Sequence, residues 1–123
     1  MTSSSGKYDV ELAITLTEAP GAAEHQFVLL GSGGEVAEGS TLPDPHTALA
    51  AVEQFGEETF FPVPRPDRIC TQQYGGPQVA LVTGRFRGRE VHSRFSRTDG
   101  CEIARWRTMA ALLGGAAGST GNI

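Results

Sequence analysis

The chain has 123 residues, of which 39% are hydrophobic and 20% charged, with a formal net charge of −4 and a pI of about 5.3. That is one domain's worth of core; the composition excludes a disordered chain, and the acidic balance excludes a generally basic nucleic-acid binder. No apolar run approaches the roughly 20 residues that a membrane helix needs.

Residues 1–7 are polar and carry no basic start followed by an apolar stretch, so the chain as written is expected in the cytoplasm. A processed or engineered start would instead make it a secreted protein. From Tyr8 the pattern alternates: Tyr8, Val10, Leu12, Ile14 and Leu16 share one face through Thr17, the period of a strand buried on one side. Ala19, Pro20 and Gly21 punctuate, and Gln26–Leu30 reads as a second strand pairing with the first as an antiparallel hairpin. Residues 31–45 are Gly-, Ser- and Pro-rich and read as loop. Asp44 and Pro45 form an N-cap and first-turn pair, and Leu49, Val52 and Phe55 follow at helical spacing. Gly56 is the expected stop, so the spacing predicts a helix over about 45–55.

Residues 56–78 carry Pro62, Pro64, Pro66 and Pro77 with Gly75 and Gly76, and are expected to form one long irregular loop. A hairpin follows. Val79–Thr83 and Arg89–Arg97 are its strands, and Gly84–Gly88 connects them. Val91, Ser93 and Phe95 should face one way, and Glu90, His92, Arg94 and Ser96 the other. Asp99-Gly100 is a turn, Cys101–Arg105 a short helical turn, and Trp106–Leu113 a closing strand. Residues 114–123, rich in Gly and Ala, are expected to be a flexible tail. The fold class is therefore α+β: an antiparallel sheet of about five strands with one or two short helices packed on one face.

Chemistry-bearing motifs are sparse. His25, His46 and His92 are scattered, Cys70 and Cys101 fit no zinc spacing, and no cofactor or metal is expected. No serine sits in a nucleophile setting, and the neighbouring Glu57 and Glu58 read as solvated charge. Most acids lie before residue 68. Seven arginines cluster later, at Arg85, Arg87, Arg89, Arg94, Arg97, Arg105 and Arg107. The basic tip Arg85-Phe86-Arg87-Gly88-Arg89 reads as a solvated hairpin end rather than a nucleic-acid contact. The two cysteines leave two states open: one disulfide, or two buried thiols as a reducing compartment favours.

The run Cys70…Tyr74…Pro77, then Val79–Thr83, Gly84…Gly88, Val91, Phe95, and Cys101-Glu102 resembles the subtilisin-inhibitor family of streptomycetes. The opening strand and the helix segment Leu49–Val52 match in order, so the resemblance covers about residues 8–113. It implies a small α+β domain, a homodimer formed through its sheet, and inhibition of an extracellular-type serine protease, subtilisin- or trypsin-like. In such an inhibitor a stiff exposed loop enters the cleft as a substrate does. Carried over, Gln72 is the primary specificity residue, Gln72–Gln73 the reactive bond, and Cys70, Thr71 and Tyr74 its flanks. A disulfide between Cys70 and Cys101 would anchor the loop. The chain departs from the family at Gly31 and His46, which stand where a second disulfide is found, at Thr71 in place of a proline, and at the glycine pair Gly75-Gly76.

Those departures motivate a second expectation, a cytoplasmic protein that reuses the fold to bind a small molecule or to act as a cyclase-like biosynthetic catalyst. His92, Glu90, Arg94 and Tyr74 are its candidate catalytic groups, with Trp106 beside them. A deep apolar pocket lined by these groups would favour it, and an exposed loop would favour inhibition.

Overall fold

The computed structural model describes residues 8–63 and 69–113. The chain forms strands β1 (Val10–Thr17), β2 (Glu24–Ser32) and β3 (Glu35–Val36), helix α1 (Pro45–Phe60), strands β4 (Val79–Phe86) and β5 (Arg89–Phe95), and helix α2 (Gly100–Thr108). The strands make one antiparallel sheet in the order β3-β2-β1-β4-β5. This is the α+β arrangement that the pattern predicts, an antiparallel five-stranded sheet with two helices.

The alternation in β1 explains the register. Val10, Leu12, Ile14 and Leu16 are all buried, and a slip of one residue would expose all four. Opposite them lie Leu29 on β2 and Val82 on β4. Val91, Ser93 and Phe95 extend this inner face onto β5, while Glu90, His92 and Arg94 point outward as expected. Ser96 does not follow them. It lies past the strand end, is buried, and shares a hydrogen bond with Thr98.

Helix α1 covers the inner face. Asp44 caps it, its carboxylate accepting from the Thr47 N–H, and Pro45 opens it. The helix runs five residues beyond the expected end at 55, straight through Gly56. Gly56 is there for closeness rather than termination: a Cβ at this position would sit 3.2 Å from the Phe86 ring and 3.3 Å from Phe60. Phe60 and Phe86 meet edge to face with centroids 5.9 Å apart. Each large side chain sealed here contributes roughly 1.5–3 kcal/mol.

Three further expectations are corrected. Trp106–Leu113 is no strand: Trp106 belongs to α2, and Met109, Leu112 and Leu113 close the core from turns behind it. The fifth strand is instead the two-residue β3, inside the stretch expected to be loop. The β4–β5 turn is only two residues, Arg87 at φ 52° and Gly88 at φ 83°, the left-handed pair that tight hairpins use. Gly84 is not part of that turn. It sits within β4 at φ 134°, where a Cβ would run into the Glu11 carbonyl of β1. Residues 1–7, 114–123 and the middle of the Pro-rich stretch, 64–68, lie outside the described residues.

Candidate functional site

Between the end of α1 and the start of β4 the described residues form no helix or strand, and from Cys70 to Tyr74 every residue is exposed. What holds this segment is a set of point attachments to the β5–α2 connection. The sulfurs of Cys70 and Cys101 lie at disulfide-bonding distance, with Cα atoms 5.2 Å apart. The Thr71 carbonyl accepts the Gly100 N–H at 3.0 Å, and the Gly75 N–H donates to the Arg97 carbonyl at 2.7 Å. Gln72 and Gln73 lie between those two bonds.

The connection is shaped to receive the segment. Asp99 caps α2, its carboxylate accepting from the Glu102 N–H at 2.9 Å, so the chain bends sharply just before Cys101. Gly100 lies against Thr71 so closely that a Cβ there would collide with the Thr71 hydroxyl. On the other side Gly75 packs onto Ile103, where a Cβ would come within 2.9 Å of its Cδ1. The glycine at 75 thus lets the segment press onto the helix instead of loosening it. Gln78 Oε1, Arg97 Nε and Trp106 Nε1 are buried and have no hydrogen-bond partner among the described residues.

The cysteine states left open by the sequence are resolved in geometry. Cys70 is exposed, Cys101 is half-buried, and the two face each other, so they are not two separate buried thiols. An Asp99 carboxylate oxygen and the two sulfurs lie within 4.8 Å of one another, but with the sulfurs at bonding distance neither is available as a thiolate ligand.

The other candidate residues do not converge. Glu90, His92 and Arg94 stand on the outer sheet face, Tyr74 lies in the irregular segment, and Trp106 is buried against the core. Glu90 and His92 line a shallow groove of about 750 Å³ on that outer face with Glu11, Leu30, Thr83 and Arg85; Arg94, Tyr74 and Trp106 do not. The hairpin-tip arginines are partly engaged within the chain. Arg89 pairs with Glu57 at 3.1 Å and lies 3.7 Å over the Phe61 ring, and Arg85 donates to the Gly88 carbonyl. Arg105 is a tie inside the fold, donating to the Arg94 and Thr59 carbonyls while stacking 4.0 Å from the Phe95 ring.

Sequence reasoning missed Arg97, Gly100 and Ile103 as parts of this site. The signal for Gly100 was present in the Asp99-Gly100 turn, but only the folded chain shows that Thr71 leans on it. No protein-family model and no curated protein matches the chain. Among the described residues no helix is long and apolar enough to cross a membrane.

Proposed function

We propose that the chain is a substrate-like inhibitor of a serine protease, presenting Gln72–Gln73 as its reactive bond. The observation that carries this reading is the bracket around that bond. Both glutamines are exposed, while Thr71 on one side and Gly75 on the other are bonded to the same short connection, with the sulfur pair at the root. A segment fixed before binding loses little conformational entropy on entering a cleft. If the bond is cut, the two new ends stay tethered to one scaffold, so the product does not leave.

A sulfur-pinned inhibitor works in an oxidising compartment. Its outer sheet face, where Ala13, Val28, Leu30 and Leu81 lie among charged neighbours, is the surface for a homodimer. Leu81→Glu is then expected to give a monomer by sedimentation.

The test is titration of the purified chain against subtilisin-like and trypsin-like proteases. Stoichiometric loss of activity is the expected result. No inhibition, or rapid turnover after Gln72, ends the reading. The outer groove supports a second reading, a small molecule held by Glu90 and His92, which predicts ligand binding that His92→Ala removes.

A further inference from the structure

Few large apolar side chains are exposed among the described residues. Among the described residues the most exposed are Ile69 at 91%, Val63 at 78% and Tyr74 at 66%. Ile69 and Tyr74 flank the Gln72–Gln73 bond, three residues before Gln72 and one residue after Gln73. We propose that these two flanks, and not Gln72, carry the specificity of the segment, and that its partner is a serine endopeptidase with apolar pockets on both sides of the scissile bond. The proposal rests on the inhibitor reading above and names the kind of cleft that the segment fits.

The backbone identifies the occupant as a peptide-binding cleft. Among the described residues Gln72 and Gln73 make no backbone hydrogen bond, so their N–H and C=O groups are available to pair with a cleft edge as an added strand. In that pairing successive side chains turn to opposite sides and enter separate pockets. The charge of the pockets follows from the residues offered. From Ile69 to Tyr74 the chain reads Ile-Cys-Thr-Gln-Gln-Tyr, with no lysine or arginine, so a cleft whose main pocket holds a carboxylate gains no ion pair from it.

The energetics put the grip on the flanks. Burying the Gln72 amide exchanges hydrogen bonds to water for hydrogen bonds to protein, with a small net return. Burying an isoleucine or a tyrosine ring removes apolar area from water and tightens binding by roughly tenfold or more each. The flanks adjoin attachment points as Gln72 does. Ile69 precedes Cys70 directly, and its carbonyl lies 3.8 Å from Cys101 Sγ. Tyr74 precedes Gly75, whose N–H is bonded to Arg97. Gln72 follows Thr71, whose carbonyl accepts the Gly100 N–H, so all three side chains are presented from a held backbone.

The experiment measures inhibition constants of the full-length chain against a subtilisin-type and a trypsin-type enzyme, for the wild type and for Ile69→Ala, Tyr74→Ala, Gln72→Ala and Ile69→Leu. All three positions changed are exposed, and an unchanged urea midpoint checks that each variant is folded. The expected result is inhibition of the subtilisin-type enzyme that weakens about tenfold or more in each alanine flank variant and less than about threefold in Gln72→Ala, with Ile69→Leu retaining it. A larger loss in Gln72→Ala than in either flank variant overturns the proposal while leaving the inhibitor reading standing. If the wild-type chain inhibits neither enzyme, the inhibitor reading itself falls, and this proposal with it.

Discussion

The inner sheet face and the segment from Ile69 to Gln78 are held in place by opposite means. The sheet face is held by area: Leu12, Ile14, Phe86 and Phe95 are each almost wholly buried, and α1 closes over them. The segment is held by points, which are one sulfur pair, two backbone hydrogen bonds and two glycines that let it come close. Area tolerates a change of one contact by losing stability in proportion. A point attachment gives way as a unit, and its loss moves the segment without unfolding the domain. On the proposed inhibitor reading, stability and inhibition should therefore be separable by mutation.

The largest effect is expected in the sheet region. Phe86→Ala removes the ring that packs on Gly56 and Phe60 and should cost about 3–5 kcal/mol in urea unfolding, while the folded fraction still inhibits at the wild-type constant. A Phe86→Ala protein that stays folded yet no longer inhibits would break the separation. Next comes the sulfur pair. Replacing both cysteines with serine opens a loop with a sequence separation of 31 residues and should cost roughly 3–4 kcal/mol on the chain-entropy account. Here both readouts fall: the midpoint drops, and limited proteolysis cuts within residues 69–78.

Gly100→Ala sharpens the contrast most. The new methyl meets the Thr71 hydroxyl, so the Gly100–Thr71 bond is lost and inhibition should weaken by at least tenfold, for a stability loss of about 1 kcal/mol. Thr71→Ala added to it should restore part of the inhibition, because the atom in the way is gone. The smallest effect lies at Asp44, far from the segment. Hydrogen bonds from the Thr47 side chain and backbone hold its carboxyl below its ordinary value of 3.8. A lowered carboxyl pKa stabilises the fold above the ordinary value, and that contribution is lost as pH falls through the lowered one. Asp44→Asn keeps the cap without the charge, so melting scans of the two proteins should coincide at neutral pH and diverge only in acid, with inhibition unaltered.

Residue patterns made most of the sheet legible. The strict alternation of β1 and the apolar face of β5 named the core side of both strands, and Asp44-Pro45 named the start of α1. The misplaced elements share a cause. Gly56 and Gly84 are the residue type that ends helices and makes turns, yet here each serves as a gap that a neighbour fills, Phe86 against one and the Glu11 carbonyl against the other. Trp106, Met109, Leu112 and Leu113 are equally apolar in a strand or in a helix with turns, and their spacing alone did not separate the two. At the site, the irregular stretch before the hairpin stood out by its prolines and glycines, but Cys70, Thr71, Gln72, Gln73 and Tyr74 were singled out only by what the resemblance implies, and Arg97, Gly100 and Ile103 carry no local mark of a supporting role.

Composition and periodicity by themselves determined the α+β fold class, the buried faces of its long strands, and the irregular course of the described residues between 61 and 78, though not that α1 reaches Phe60. Those properties depend on side chains a few residues apart, which sequence lists in order. Tertiary structure alone decided that Cys70 faces Cys101, that Thr71 rests on Gly100, and that His92 and Tyr74 lie on different surfaces. Such pairings join residues about 30 positions apart, and their distances are set by how the sheet twists and where α2 begins, which no local pattern encodes.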